Sequence, residues 1–76
     1  MEIDLVIERP GKKTALIEIK STRALRAEAL RSFSRLSSDF DGCESYCLSQ
    51  DPIAQKIGHI KARFWQTGLY EILGIN

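Results

Sequence analysis

The chain has 76 residues, 43% of them hydrophobic and 28% charged, with a formal net charge of +1. That length allows one small domain with a thin core, while the net charge alone says nothing about nucleic acid. No apolar run approaches the ~18 residues of a membrane span, and the first residues already alternate charge with aliphatics, so no signal peptide is expected and the expected location is the cytoplasm.

The first two elements read as a hairpin. Glu2-Ile3-Asp4-Leu5-Val6-Ile7-Glu8 and Thr14-Ala15-Leu16-Ile17-Glu18-Ile19-Lys20 are rich in Ile, Leu and Val and are joined by Arg9-Pro10-Gly11-Lys12-Lys13. Side chains alternate across a strand, so Ile3, Leu5 and Ile7 share one face while Glu2, Asp4, Val6 and Glu8 share the other. A loop of roughly three residues around Pro10-Gly11 pairs Ile3 with Ile19, Leu5 with Ile17 and Ile7 with Ala15, an apolar face. The same register sets Asp4 opposite Glu18, Glu2 opposite Lys20 and Val6 against Leu16. Registers shifted by two keep these groups on the same faces. Like charges across a ladder destabilise it. A shared proton, a cationic neighbour or a divalent cation taking oxygen from both carboxylates would reconcile them.

After Lys20, Ser21 and Thr22 offer hydroxyls as caps. Apolar residues then recur at helical spacing, Ala29, Leu30, Phe33, Leu36 and Phe40, which predicts a helix from about Leu25 that packs this face on the sheet and ends near Asp39. Asp41-Gly42 is a turn signal. Glu44 to Ser49 reads as a third strand, parallel to Thr14–Lys20 through a right-handed crossover. Asp51-Pro52 starts a short helical turn over Ile53 to Ile57, and Gly58 resets the chain. His59 to Trp65 alternates as a fourth strand. Thr67 is then expected to cap a helix through Leu73, with Leu69, Ile72 and Leu73 inward and Gly74 just past its end. The fold class is therefore α/β (α+β), a mixed sheet of about four strands with flanking helices.

Charge is unevenly distributed. Arg9, Lys12, Lys13, Lys20, Arg23, Arg26, Arg31 and Arg35 are opposed between them only by Glu18 and Glu28, whereas Asp39, Asp41, Glu44 and Asp51 follow as an acidic run. This asymmetry either guides a polyanion toward the hairpin and first helix, with Lys12, Lys13, Arg23 and Arg26 as its contacts, or is an arginine-rich solvated face. Cys43 and Cys47 lack zinc spacing and His59 is remote from them, so they read as packing residues. Trp65, Tyr46 and Tyr70 could stack on bases but read first as buried area, and His59 reads as a surface or half-buried residue.

Asp4 followed by Glu18-Ile19-Lys20 at the end of the next apolar strand resembles the D…(D/E)xK signature of the PD-(D/E)XK restriction-endonuclease-like superfamily. The text around it, Glu2-Ile3-Asp4-Leu5-Val6-Ile7 and then Leu16-Ile17-Glu18-Ile19-Lys20-Ser21, is especially similar to the C-terminal domain behind many bacterial and archaeal AAA-type ATPases, which carries E(I/V)DF(V/I) and then IE(V/I)KS. The motif is short, and its specificity comes from the facing of adjacent strands.

The resemblance implies that Asp4 and Glu18, with the Ile19 carbonyl, hold Mg²⁺ or Mn²⁺ near a scissile phosphate of DNA. It implies that Lys20 positions the attacking water or stabilises the developing charge. Glu2 is an accessory carboxylate or a partner of Lys20. The superfamily core has a further helix and strand ahead of the Asp-bearing strand, which are not encoded here. The expectation is a truncated core, a piece of a longer protein or one completed by another chain, with self-association through the bare sheet edge. Two functions stay open: a metal-dependent nuclease-like domain, and a non-catalytic interaction or oligomerisation appendage of an ATPase. A third reading makes Asp4, Glu18 and Lys20 a solvated charge cluster.

Overall fold

The aliphatic alternation on either side of Pro10-Gly11 closes a hairpin in the computed structural model, which describes residues 3–75. β1 (Leu5–Ile7) and β2 (Thr14–Ile19) pair antiparallel with Leu5 opposite Ile17, Val6 opposite Leu16 and Ile7 opposite Ala15, the register expected from the apolar face. The pairing stops there. The chain bends at Asp4, so Ile3 does not lie against Ile19 but packs with the cluster on the opposite face of the sheet. Glu2, expected opposite Lys20, lies outside the described residues.

A 3-10 turn, Ala27–Leu30, and α1 (Arg31–Ser37) replace the longer helix predicted from about Leu25. The buried stripe is Leu30, Phe33 and Ser37, while Ala29 and Phe40 are exposed. No side chain caps this segment at its start, and the Thr22 hydroxyl bonds within its own loop, to Ala24. Gly42 then turns the chain into β3 (Cys43–Ser49), which lies parallel to β2 with Glu18 opposite Cys47.

The helical turn expected over Ile53 to Ile57 is instead a strand. β4 (Gln55–Ile57) pairs antiparallel with β5 (Ile60–Phe64) around Gly58-His59, where Gly58 takes the left-handed φ of 61° that the two-residue turn requires. The sheet thus has five strands, in the order β1-β2-β3-β5-β4, with β5 parallel to β3. α2 (Trp65–Leu73) follows directly and begins earlier than predicted. Thr67 lies inside its first turn with its hydroxyl on the Phe64 carbonyl, so it is not the cap. Gly74 closes the helix with φ 72°, and the Ile75 N–H returns to the Tyr70 carbonyl at 2.9 Å.

Alternation divides the core between the two faces. On the α1 side Leu16, Cys47, Ile60 and Ala62 pack with Leu25, Leu30 and Phe33; on the α2 side Ala15, Ile17, Tyr46 and Leu48 pack with Ile72. Phe33 has no exposed surface and alone contributes roughly 2–3 kcal/mol relative to exposure. α2 sits close to the sheet because it carries Gly68 there. A Cβ at that position would overlap Leu48 Cδ2 and stand 2.9 Å from Arg63 Cβ. Of the aromatic residues expected as buried area, Tyr46 is buried but Trp65 and Tyr70 are each 46% exposed. Leu73, expected inward, is also exposed.

One guanidinium joins the hairpin turn, β3 and the end of α2. Arg9 Nε donates to the Lys13 carbonyl at 2.8 Å, Nη1 to the Ile72 carbonyl at 3.3 Å and Nη2 to Glu44 Oε1 at 2.6 Å. Lys61 completes the group, 3.2 Å from Glu44 Oε2 and 5.5 Å above the Tyr46 ring. The Arg9 hydrogen bond is the main cause holding the Glu44 carboxyl below its ordinary range, against the desolvation that would raise it. Among the described residues no helix is long and apolar enough to cross a membrane.

Candidate metal centre

The bend at Asp4 gives its carboxylate a task in the sheet. Its N–H donates to the Ile17 carbonyl at 3.0 Å, and its Oδ2 accepts from the Ile19 N–H at 2.8 Å. The side chain stands where a continuing β1 would have supplied a carbonyl. Asp4 is thereby fixed across the ladder from the end of β2, and only one of its carboxylate oxygens is engaged by Ile19. The N–H and C=O of a strand residue face the same neighbour, so the Ile19 carbonyl faces the Asp4 side too.

Glu18 lies in a strand flanked on both sides, and this buries it to 9% exposure. Its Oε2 is 3.2 Å from Lys20 Nζ. Its Oε1 is buried and has no hydrogen-bond partner. Such an oxygen costs about 1–3 kcal/mol when nothing replaces the water it lost. The Lys20 ammonium offsets the charge but leaves that lone pair vacant.

Cys47 stands beside Glu18 in β3. Its thiol is pushed up to about 12, first by burial and then by the Glu18 charge, with Lys20 opposing and Asp4 adding. Asp4, Glu18 and Lys20 therefore all lie within electrostatic reach of this thiol.

These donors fit a hard cation. The free oxygen of Asp4, the orphaned Oε1 of Glu18 and the Ile19 carbonyl are all oxygen, the set preferred by Mg²⁺ or Mn²⁺ over softer metals. Among the described residues no three His, Cys, Asp or Glu side chains are grouped to hold a metal.

The four residues expected to meet nucleic acid divide. Lys12 and Lys13 lie in the hairpin turn, five residues of β2 or more from Glu18, about 17 Å at strand rise. Lys12 Nζ lies instead near Gly74 at the C-terminus of α2, where a cation complements the helix dipole. Arg23 and Arg26 are exposed in the connection that leaves Lys20, at the same end of the sheet as the carboxylates. Among the described residues neither forms an ion pair with the carboxylates.

Asp51 shapes that connection and was read from the sequence only as a turn. Its Oδ2 accepts from the Leu25 N–H at 2.8 Å and its Oδ1 from the Ile53 N–H at 2.9 Å. These two bonds, the Leu25 bond first, hold the carboxyl below its ordinary range. The Asp-Pro pair that signals a turn was the available clue, but its partner at Leu25 is a tertiary contact. Farther off, a cleft of about 510 Å³ separates α1 from the β4–β5 turn, lined by Arg31, Arg35 and His59. His59 is exposed and lies 2.8 Å from the Ser37 hydroxyl. Compared with protein-family models, curated proteins and solved structures, the chain matches none.

Proposed function

We propose that this chain is a divalent-metal-dependent nuclease-like domain of the PD-(D/E)XK kind that hydrolyses phosphodiester bonds of DNA, as a fragment or appendage of a larger ATPase. The observation that carries the reading is the buried, unpartnered Glu18 Oε1 beside Lys20, with Asp4 fixed across the ladder at Ile19. Asp4, Glu18 and the Ile19 carbonyl would hold the Mg²⁺ or Mn²⁺, which when bound polarises a phosphate oxygen and makes its water more acidic. Lys20, aligned by Glu18 Oε2 at 3.2 Å, has donors left to orient the attacking water or to meet charge gathering on the phosphoryl oxygens. Arg23 and Arg26 draw the flanking phosphates to this end of the sheet.

A second reading has its own observation. β1 is a short edge strand whose Leu5 and Val6 are exposed, Val6 to 57%, as is Ile19 at the end of β2 beyond its pairing. A non-catalytic module that pairs edge to edge with a second copy would cover them.

The two are separated by calorimetric titration of Mn²⁺ at low salt into the protein and into Asp4→Ala and Glu18→Ala, each checked for folding. Binding present in the parent and lost in both variants supports the metal centre; plasmid nicking that Lys20→Ala abolishes without loss of fold supports the nuclease. Absence of Mn²⁺ binding together with concentration-dependent sedimentation favours the oligomerisation module.

A further inference from the structure

The chain's one tryptophan is in the wrong place for a core residue. Trp65 opens α2 and leaves nearly half its surface to solvent, although a domain this small has every reason to bury so large an apolar ring. The Phe64 ring, 6.0 Å away and tilted by 44°, braces it on one side. Trp65 also lines a cleft of about 240 Å³ together with Ile19 and Leu48, with Lys20 and Gln50 among its other lining residues. That is small beside the roughly 300–1,000 Å³ of a drug-sized pocket. It suits one planar ring system.

Lys20 lines this cleft on the α2 face at the end of β2, and its Nζ lies 3.2 Å from Glu18 of the carboxylate cluster on the other face, so the two meet only around the end of the strand. We infer that Trp65 and the apolar walls of Ile19 and Leu48 form a stacking subsite for one unpaired nucleobase, next to a phosphate held at Lys20. The inference rests on the nuclease-like reading and names its substrate class: single-stranded or flapped DNA.

The chemistry of the surroundings selects this occupant. Between Lys20 and Arg26 the charged residues are all basic, so the approach to the cleft favours a polyanion. Lys20 Nζ has three donors and shares one with Glu18. The exposed Gln50 amide offers a donor and an acceptor to the polar edge of a base, while the ring faces hydrocarbon. A base inside a duplex is stacked on its neighbours and cannot reach Trp65, whereas a single strand presents its π-faces freely.

Because Trp65 is the only tryptophan, its emission reports the subsite directly. The full chain is titrated in chelator with a short oligothymidylate and, separately, with a blunt duplex of the same length. Tryptophan emission and the anisotropy of a labelled oligonucleotide are read in parallel. Expected are quenching by the single strand at the concentration where anisotropy rises, and none by the duplex. Trp65→Ala, checked by circular dichroism, weakens single-strand binding roughly tenfold or more, the range for one stacked base, and Trp65→Phe restores most of it. Anisotropy rising without any change in emission, equal binding by Trp65→Ala, or no single-strand binding at all overturns the subsite. The metal reading is judged apart from it, by Mn²⁺ titration without nucleic acid.

Discussion

Replacing Gly68 by alanine tests how closely α2 is seated on the sheet. In an open helix the change stabilises by about 1 kcal/mol, the difference in helix propensity. Here the added methyl overlaps Leu48 Cδ2 and stands 2.9 Å from Arg63 Cβ, against an optimum of about 3.5–4.0 Å between carbons. Leu48 is buried at 3% exposure and cannot swing away, and Arg63 Cβ is fixed to the backbone of β5. Overpacking of this kind costs about 1–3 kcal/mol, and two rigid neighbours put the cost at the upper end. The net loss is about 1–2 kcal/mol, a fall in Tm of roughly 5–15 °C for a chain this short. Thermal melts by circular dichroism at 222 nm measure it. A Tm equal to or above that of the parent would refute the close approach, because propensity alone would then be acting. The displacement of α2 also moves Trp65, so Gly68→Ala should change tryptophan emission in the native state.

Arg9→Met keeps the aliphatic stem but removes the bonds to Lys13, Ile72 and Glu44. Glu44 retains Lys61 at 3.2 Å, so no charge is stranded and the expected loss is about 2 kcal/mol by urea denaturation; a loss under about 0.5 kcal/mol, the range of ordinary surface changes, would count against the network. Cys47 supplies a pH dependence. Its folded thiol, pushed up to about 12, lies above the ordinary value of about 8.5, so the unfolded chain releases this proton first. The contribution is therefore intact below pH ~8.5 and is lost as pH rises toward the folded value. The stability difference between the parent and Cys47→Ala should shift against the parent from pH 7 to 10, and a constant difference would refute the assignment.

The parts legible in the sequence are those in which local pattern and tertiary environment agree. The hairpin register follows from the alternation of Leu5, Ile7, Ala15 and Ile17 about Pro10-Gly11, and the same alternation puts Glu18 and Lys20 on one face, 3.2 Å apart. Gly74 announced the end of α2 because only a left-handed residue fits there. β4 was not legible: Gln55-Lys56-Ile57 has little strand character of its own and is extended because β5 pairs with it. α1 was overdrawn because the apolar periodicity counted Ala29 and Phe40, while the position that completes the buried stripe is a serine, Ser37, bonded to His59. At the site, the bend that turns Asp4 into an acceptor for Ile19 leaves no trace in an alternating pattern. Burial of Glu18 likewise depends on β3, a long-range neighbour.

The Arg9 group also has a place in time. Arg9 is separated from Glu44 by 35 residues and from Ile72 by 63, so beyond its local bond to Lys13 these two bonds form only once the hairpin, the parallel strand and the last helix have met. A contact absent from the folding transition state changes the unfolding rate and not the folding rate, and stopped-flow kinetics of Arg9→Met test whether these bonds are of that kind. If Arg9 is a latch on the finished fold, its loss is expected to quicken unfolding and to leave the rate of folding nearly as it was.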